Sequence, residues 1–364
     1  MQTLLKRKIV VLAGFGEFSR RVASGIAALP QAECVLGLPP GAPATAFASR
    51  VGVPFMVLDP NDPSSLQRLL EGAFAVVNVR GPFKAREHLA VAARCAALGV
   101  HYVDPAESRE YIGEFEQLAR AAREHDALLV TGAGAAPAVT AALCGLLAPH
   151  FDRVNEIHIF LTPGIGDQRE LATTRTVLER AEQPPRVKQS ARRREEQWWE
   201  QPQTVGFPAP VGRRRGYLCD LPDLELFTKQ FGARTVSART GFAPGLLNLM
   251  LAVLALLRRR GLIKRLSPLT GLLMRAAASK QVDAAAIRIA MRGSVRGADE
   301  EHIVYLVGRN GAGPAIAAAP IVTLVRKWLE YGTGEYGALA CVGLLDFDAL
   351  KPALAGNDVV LVRE

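Results

Sequence analysis

Short runs of valine, isoleucine and leucine recur over the first 131 residues, separated by longer stretches whose apolar positions return every three or four residues. The runs cover 9–13, 34–38, 54–58, 74–79, 100–104 and 127–131. Near-continuous apolar runs of this length are strands buried on both faces of a parallel sheet. Between them Val22, Ile26 and Leu29 keep one helical face, as do Leu89, Ala92, Ala93 and Ala96, and then Phe115, Leu118, Ala119 and Ala122. Strand alternating with helix predicts a doubly wound α/β sheet.

After Thr131 the rhythm breaks at the glycines and proline of Gly132, Gly134 and Pro137. A helix to about residue 148 follows, and then 154–161 alternates like a half-exposed strand. Further strands are expected at 234–239 and 302–308, and helices at 246–258 and 320–331. Strands no longer alternate with helices, so the second part reads as mixed α+β. At 364 residues the chain exceeds one ordinary core. Two domains are expected, a doubly wound one over 1–133 and an α+β one over 134–364, with the C-terminal tail a candidate to return to the first.

The strongest local signal follows the first strand, where Gly14-Phe15-Gly16-Glu17-Phe18-Ser19 opens a helix. Gly14 permits a tight turn, Gly16 lets backbone approach a pyrophosphate, and the helix N-terminus offers amide donors and a favourable dipole. In the first strand-to-helix turn of a six-strand pattern this predicts a Rossmann-type dinucleotide site; a close-packed turn without ligand is the competing reading. Ser19 stands where a third glycine is usual, and its small side chain still suits close packing. The ribose position is not declared: Leu36 to Gly41 carries neither the acid that suits NAD nor the arginine that suits NADP, and Glu33 begins its strand instead of ending it. Arg50 is one candidate to supply the charge.

Other positions at the strand ends join this site. Asp59 follows the third strand, where adenine would lie, while Asp62 before Pro63 is explained by helix capping. Asn78-Val79-Arg80-Gly81-Pro82 would set rigid backbone beside a nicotinamide, or simply turn. Tyr102 and Asp104 share one face at the carboxyl end of the fifth strand, the edge where open α/β sheets hold ligands. They are the candidate catalytic residues, with capping of the next helix an equal alternative for Asp104.

Composition changes the picture little. Forty-nine per cent hydrophobic and 22% charged residues suit a globular protein and exclude wholesale disorder. The formal charge of +9 is uneven: residues 186–215 carry eight basic residues against three acids, five of the nine charges. A solvated loop, or a site for an anionic substrate or partner, accounts for this; no nucleic-acid motif accompanies it. Five separated cysteines with no C-x-x-C pair suggest a reducing cytoplasm. No secretory signal is read at the N-terminus, the apolar run 246–257 is too short to span a bilayer, and the six scattered histidines form no metal-ligand cluster.

The order of Gly14-Phe15-Gly16, Asp59, Asn78-Val79-Arg80-Gly81-Pro82, Gly99 to Asp104 and the turn from Gly132 resembles the saccharopine dehydrogenase (saccharopine reductase) NADP-binding family, best over residues 8–150. The resemblance implies a Rossmann domain, a mixed second domain, often a homodimer, and hydride transfer at a C–N bond with NADP or NAD. The chain departs from the family at the missing arginine after strand two and at Ala138, where glycine commonly follows the proline. A small anionic substrate is expected, with Arg175 and Thr174 as candidate ligands, because a guanidinium grips a carboxylate through two parallel hydrogen bonds. A helix start is the competing account of that pair. A non-catalytic Rossmann protein, binding a nucleotide or partner, is the rival from another class.

Overall fold

A computed structural model describes residues 6–59, 62–81, 83, 86–163, 187–188, 195–196, 202–241, 253 and 284–364. The chain divides into two compact units, Met1–Val139 with Pro314–Leu354, and Thr140–Gly313 with Ala355–Glu364.

In the first unit the six expected strands form: β1 (Arg7–Leu12), β2 (Ala32–Leu38), β3 (Phe55–Val57), β4 (Ala73–Asn78), β5 (His101–Val103) and β6 (Leu128–Thr131). The helices between them are α1 (Glu17–Ala27), α2 (Ala42–Val51), α3 (Pro63–Leu70), α4 (Ala90–Ala97), α5 (Arg109–Phe115) and α6 (Ala119–Glu124). The sheet runs β15-β6-β5-β4-β1-β2-β3, with β15 at Gly337–Ala340. Every pairing in it is parallel. This is the doubly wound Rossmann arrangement with one added strand, and its order reverses between β1 and β4. Ile9, Val10, Val11, Val76, Val77, Leu129 and Val130 are wholly buried, as continuous apolar strands require.

The strand β15 was not expected, because a four-residue Gly-Ala-Leu-Ala run has no branched apolar signature and its partner β6 lies about two hundred residues away. On α1 the expected face is buried through Val22, Ala23 and Ile26. A Cβ on Gly25 would stand 2.7 Å from Val322, so glycine there lets α1 approach the helix that includes Val322. The helix expected at 320–331 begins earlier, at Gly313, and ends at Tyr331. Pro320 lies inside it and is buried; proline reads as a helix start because it lacks an N–H, yet here the fold accommodates it mid-helix.

The second unit is built on a seven-stranded sheet in the order β10-β11-β12-β7-β13-β14-β16. Its strands are β7 (Arg153–Thr162), β10 (Gln203–Val205), β11 (Arg214–Leu218), β12 (Thr235–Thr240), β13 (Ala285–Val295), β14 (Ala298–Gly308) and β16 (Val359–Arg363); among the described residues β8 (Val187–Lys188) and β9 (Glu195–Glu196) pair with each other. Central β7 runs parallel to β12 and antiparallel to β13, so the sheet is mixed, as expected. The expected strands at 154–161, 234–239 and 302–308 form, and β10, β11, β13 and β16 are additions. β13 and β14 are joined at Arg296 and Gly297, whose φ of 50° and 83° suit the type I′ turn that matches strand twist.

Ile157, Ile159, Ile287, Ile289 and Met291 are buried on one face of this sheet, against which the helix Thr140–Leu147 packs through β13 and β14. On the other face Phe160, Phe207, Val211, Tyr305 and Val307 form an apolar cluster. Part of the basic segment becomes strand: Arg214 to Leu218 is β11, with Arg215 5.8 Å from the Tyr217 ring.

Candidate cofactor site

The reversal between β1 and β4 opens the crevice in which doubly wound sheets bind ligands. The Val79 amide donates to the Leu12 carbonyl at 2.9 Å and the Ala13 amide to the Gly37 carbonyl at 3.1 Å, so the ends of β1, β2 and β4 are tied together. Gly16 caps α1 with extended backbone, φ −81° and ψ 169°, and no side chain caps the helix among the described residues. Its first-turn amides are therefore available to an anion. A Cβ built on Gly16 meets no described atom within 4 Å, and one on Gly14 meets only the Ser19 hydroxyl at 3.8 Å. The space over this turn is the space a pyrophosphate needs, so these residues fit a dinucleotide.

Phe15 meets Phe47 of α2 edge to face at 5.9 Å, fixing the outer side of the turn. Glu17 and Phe18 open α1 and are partly buried. Although partial burial opposes its charge, the Glu17 carboxylate titrates below the usual range because Arg20 and Arg21 hydrogen-bond it. The acid beside the anion site is thereby neutralised locally. Asp59 is half-buried after β3, its amide donating to the Ser65 hydroxyl at 3.1 Å. Asp62 caps α3 by accepting from the Ser64 amide at 2.9 Å, as its sequence context requires. Arg50 lies in the last turn of α2, about 12 Å along the axis from the start of that helix, the end nearer β2. The backbone from Leu38 to Ala42 brings no charged side chain to the ribose position.

The turns after β4, β5 and β6 are joined by one buried network. Asn78 accepts from the Arg80 amide at 3.3 Å and donates to the Tyr102 hydroxyl at 3.1 Å. Tyr102 stands 3.5 Å from the Tyr111 hydroxyl, which donates to Asp104 at 2.9 Å. Asp104 also accepts from the Ala106 amide at 2.9 Å, the Thr131 hydroxyl at 2.7 Å and the Gly132 amide at 3.4 Å. Tyr102, Asp104, Tyr111 and Thr131 have no solvent exposure. Burial raises the Asp104 carboxyl despite its donors, and burial next to Asp104 raises the Tyr102 phenol well above its ordinary value. The two expected catalytic residues thus share a face, as their spacing requires, and are satisfied inside the unit. The helix that follows is capped by Ser108, which accepts from the Tyr111 amide at 3.4 Å.

Tyr111 is the member that sequence reasoning missed; its signal was the Ser108-x-x-Tyr111 spacing at the helix start, which aims Tyr111 back at the strand ends. Gly132 takes a φ of 78°, where a Cβ would stand 2.8 Å from Pro137, and one on Gly134 would stand 3.3 Å from Pro105. These glycines let the last two turns close on each other. Val79 is buried, Arg80 is exposed, and Gly81 holds a φ of 53°. Pro82, Thr174 and Arg175 lie outside the described residues, as does the run 246–257 apart from Val253. Among the described residues no helix is long and apolar enough to cross a membrane. No described group of three or more His, Cys, Asp and Glu residues has metal-binding geometry.

The family model described as "Saccharopine dehydrogenase NADP binding domain" matches residues 10–199. The apo saccharopine dehydrogenase (L-Glu forming) of Saccharomyces cerevisiae is similar in structure, at a TM-score of 0.70 and 14% identity, over 98% of this chain and all of that one. That likeness is one of fold. A probable dehydrogenase from Thermotoga maritima aligns at a TM-score of 0.48 and 9% identity over 95% of this chain and 93% of that one, too weak a likeness to bear on chemistry. No curated protein matches in sequence. The chain belongs to the saccharopine dehydrogenase NADP-binding family, NAD(P)-dependent oxidoreductases, and NAD(P) is the cofactor its first unit is built to hold.

Proposed function

We propose that the chain catalyses oxidation or reduction at a C–N bond of a small anionic substrate derived from an amino acid or amine. The observation that carries this is the uncapped start of α1 beneath open space at Gly16, at the reversal of a fully parallel sheet. When bound, the cofactor supplies or accepts the hydride. Gly14, Phe15, Gly16, Glu17 and Phe18 would hold its pyrophosphate and Asp59 its adenine end, while Asn78, Val79, Arg80, Gly81 and Pro82 would flank the nicotinamide. Asp104 and Tyr102 act as positioning residues, since their bonds set the three turns that face the reacting atoms. Arg175 and Thr174 bind the substrate carboxylate. The protein works as a homodimer in the cytoplasm, with all five cysteines as buried free thiols.

A second reading, nucleotide binding without catalysis, is favoured by one observation: neither Asp104 nor Tyr102 has any exposed surface. Steady-state assay with NADPH or NADH against imines formed from amino acids and small aldehydes separates the two. Turnover supports the enzyme, and cofactor binding without turnover across that panel supports the second reading.

A further inference from the structure

On the face of the second sheet that carries Phe160, strand register brings two arginines to the same aromatic residue. Arg239 of β12 and Arg288 of β13 both stand opposite Phe160 of β7, one on each side. With neighbouring strands roughly 4.8 Å apart, their Cα atoms are about 10 Å apart across one sheet face. Further along, Ala290 and Arg292 follow Arg288 on the same face by the two-residue period of a strand, opposite His158 and Glu156. The small Ala290 side chain between two arginines leaves a hollow. A cleft of about 520 Å³ lies there, within the size range of small-molecule sites.

Arg292 is held by Glu301 at 2.7 Å and stands 3.8 Å from Glu156. Glu156 in turn meets His158 at 2.9 Å, whose other ring nitrogen is 2.8 Å from the Ser237 hydroxyl. Both acids lining the cleft therefore face Arg292 and His158, while Arg239 reaches Ser237 at 3.4 Å. The Arg288 guanidinium lies 5.9 Å from the Tyr305 ring, and the Tyr305 hydroxyl donates to Glu364 at 3.1 Å. The Arg288 Nε is buried with no hydrogen-bond partner among the described residues. A mixed sheet can show water a polar face without further purpose. The Tyr305 hydroxyl also hydrogen-bonds the Arg288 guanidinium, so Nε is the donor left over, and a buried donor without an acceptor is costly.

We propose that this cleft is an anion site in which Arg239 and Arg288 hold a small carboxylate-bearing molecule. A carboxylate accepts two parallel hydrogen bonds from a guanidinium, supplying an acceptor for the Arg288 Nε. The site lies wholly within the second unit and stands whether or not the chain uses NAD(P).

Calorimetric titration of the full chain with glutarate tests this, with uncharged glutaramide and inorganic phosphate as comparison probes and K351Q as a remote control. Saturable glutarate binding is expected, weakened roughly tenfold or more in R288Q and in R239Q, less in R288K, and not at all in K351Q. Glutaramide should give no saturable heat. Melting curves establish which variants fold, and R239Q carries the test if R288Q does not. Absence of saturable binding, equal affinity in the folded arginine variants, equal binding of glutaramide, or binding of phosphate alone would each overturn the proposal.

Discussion

The Ser19 hydroxyl accepts a hydrogen bond from the Gly14 amide at 3.2 Å, so the residue in the third glycine position closes the turn that the first glycine opens. Ser19 is 5% exposed, and its oxygen is the only described atom within 4 Å of a Cβ on Gly14. Ser19→Ala leaves that amide without its partner. A loss of about 1 kcal/mol in urea denaturation is expected, with several-fold weaker cofactor binding by fluorescence titration. Unchanged binding and stability together would show that the turn holds its shape without the bond.

Two glycines in the turns after β1 and β6 should respond oppositely to substitution. Gly16 has extended backbone and open space, so Gly16→Val should melt like the wild type while its cofactor affinity falls by more than about tenfold. Gly132 has a φ of 78° and a Cβ would crowd Pro137 at 2.8 Å, so Gly132→Ala should cost about 2 kcal/mol or more. A destabilised Gly16→Val with normal affinity would remove the pyrophosphate from this turn.

Asp104 gathers donors from three segments of the first unit, and its replacement should be felt throughout that unit. Asp104→Asn turns one acceptor into a donor facing the Ala106 amide, or the Thr131 or Tyr111 hydroxyl, at a cost of roughly 2–4 kcal/mol. Tyr111→Phe, which removes one donor, should cost about 1 kcal/mol. Denaturant midpoints of the two variants check the ranking, and near-equal small losses would contradict the network.

His101 is buried and its Nδ1 accepts from the Leu128 amide at 3.0 Å, a bond possible only for the neutral ring. Burial, with Arg7 nearby, pulls its pKa down from 6.5 to about 4. The unfolded chain then takes up this proton first as pH falls. The contribution is fully present above pH 6.5 and is lost progressively toward pH 4, up to roughly 3 kcal/mol. Urea unfolding of wild type and His101→Gln from pH 7 to 4 reads it as a narrowing gap between the two curves; a constant gap would rule the titration out.

With no charged side chain between Leu38 and Ala42, and with Arg50 a helix length away, NADH and NADPH should bind within about tenfold of each other, or 1.4 kcal/mol. Parallel titrations check this, and a preference above a hundredfold would locate a charge elsewhere on the ribose.

The legible parts of this protein are those whose partners lie close in sequence. Branched apolar runs announced β1 to β6, and the glycines at 14 and 16 announced the turn that caps α1. The pairing of Gly337–Ala340 with Leu128–Thr131 was not legible, because four small residues carry no period and the contact spans half the chain. β13 was not expected, although Ile287, Ile289 and Met291 alternate with Arg288, Ala290 and Arg292, the mark of a strand with one polar face. Alternation correctly put Tyr102 and Asp104 on one face. It said nothing of their burial, which comes from Tyr111 folding back over the strand ends.

The account rests most directly on the dinucleotide site of the first unit. Titrating wild type and Gly16→Val with NADH and NADPH, followed by nicotinamide fluorescence and calorimetry, measures it. Saturable one-to-one binding to the wild type, lost in a variant that still folds, is the predicted result; no response of the wild type to either cofactor at millimolar concentration would contradict it.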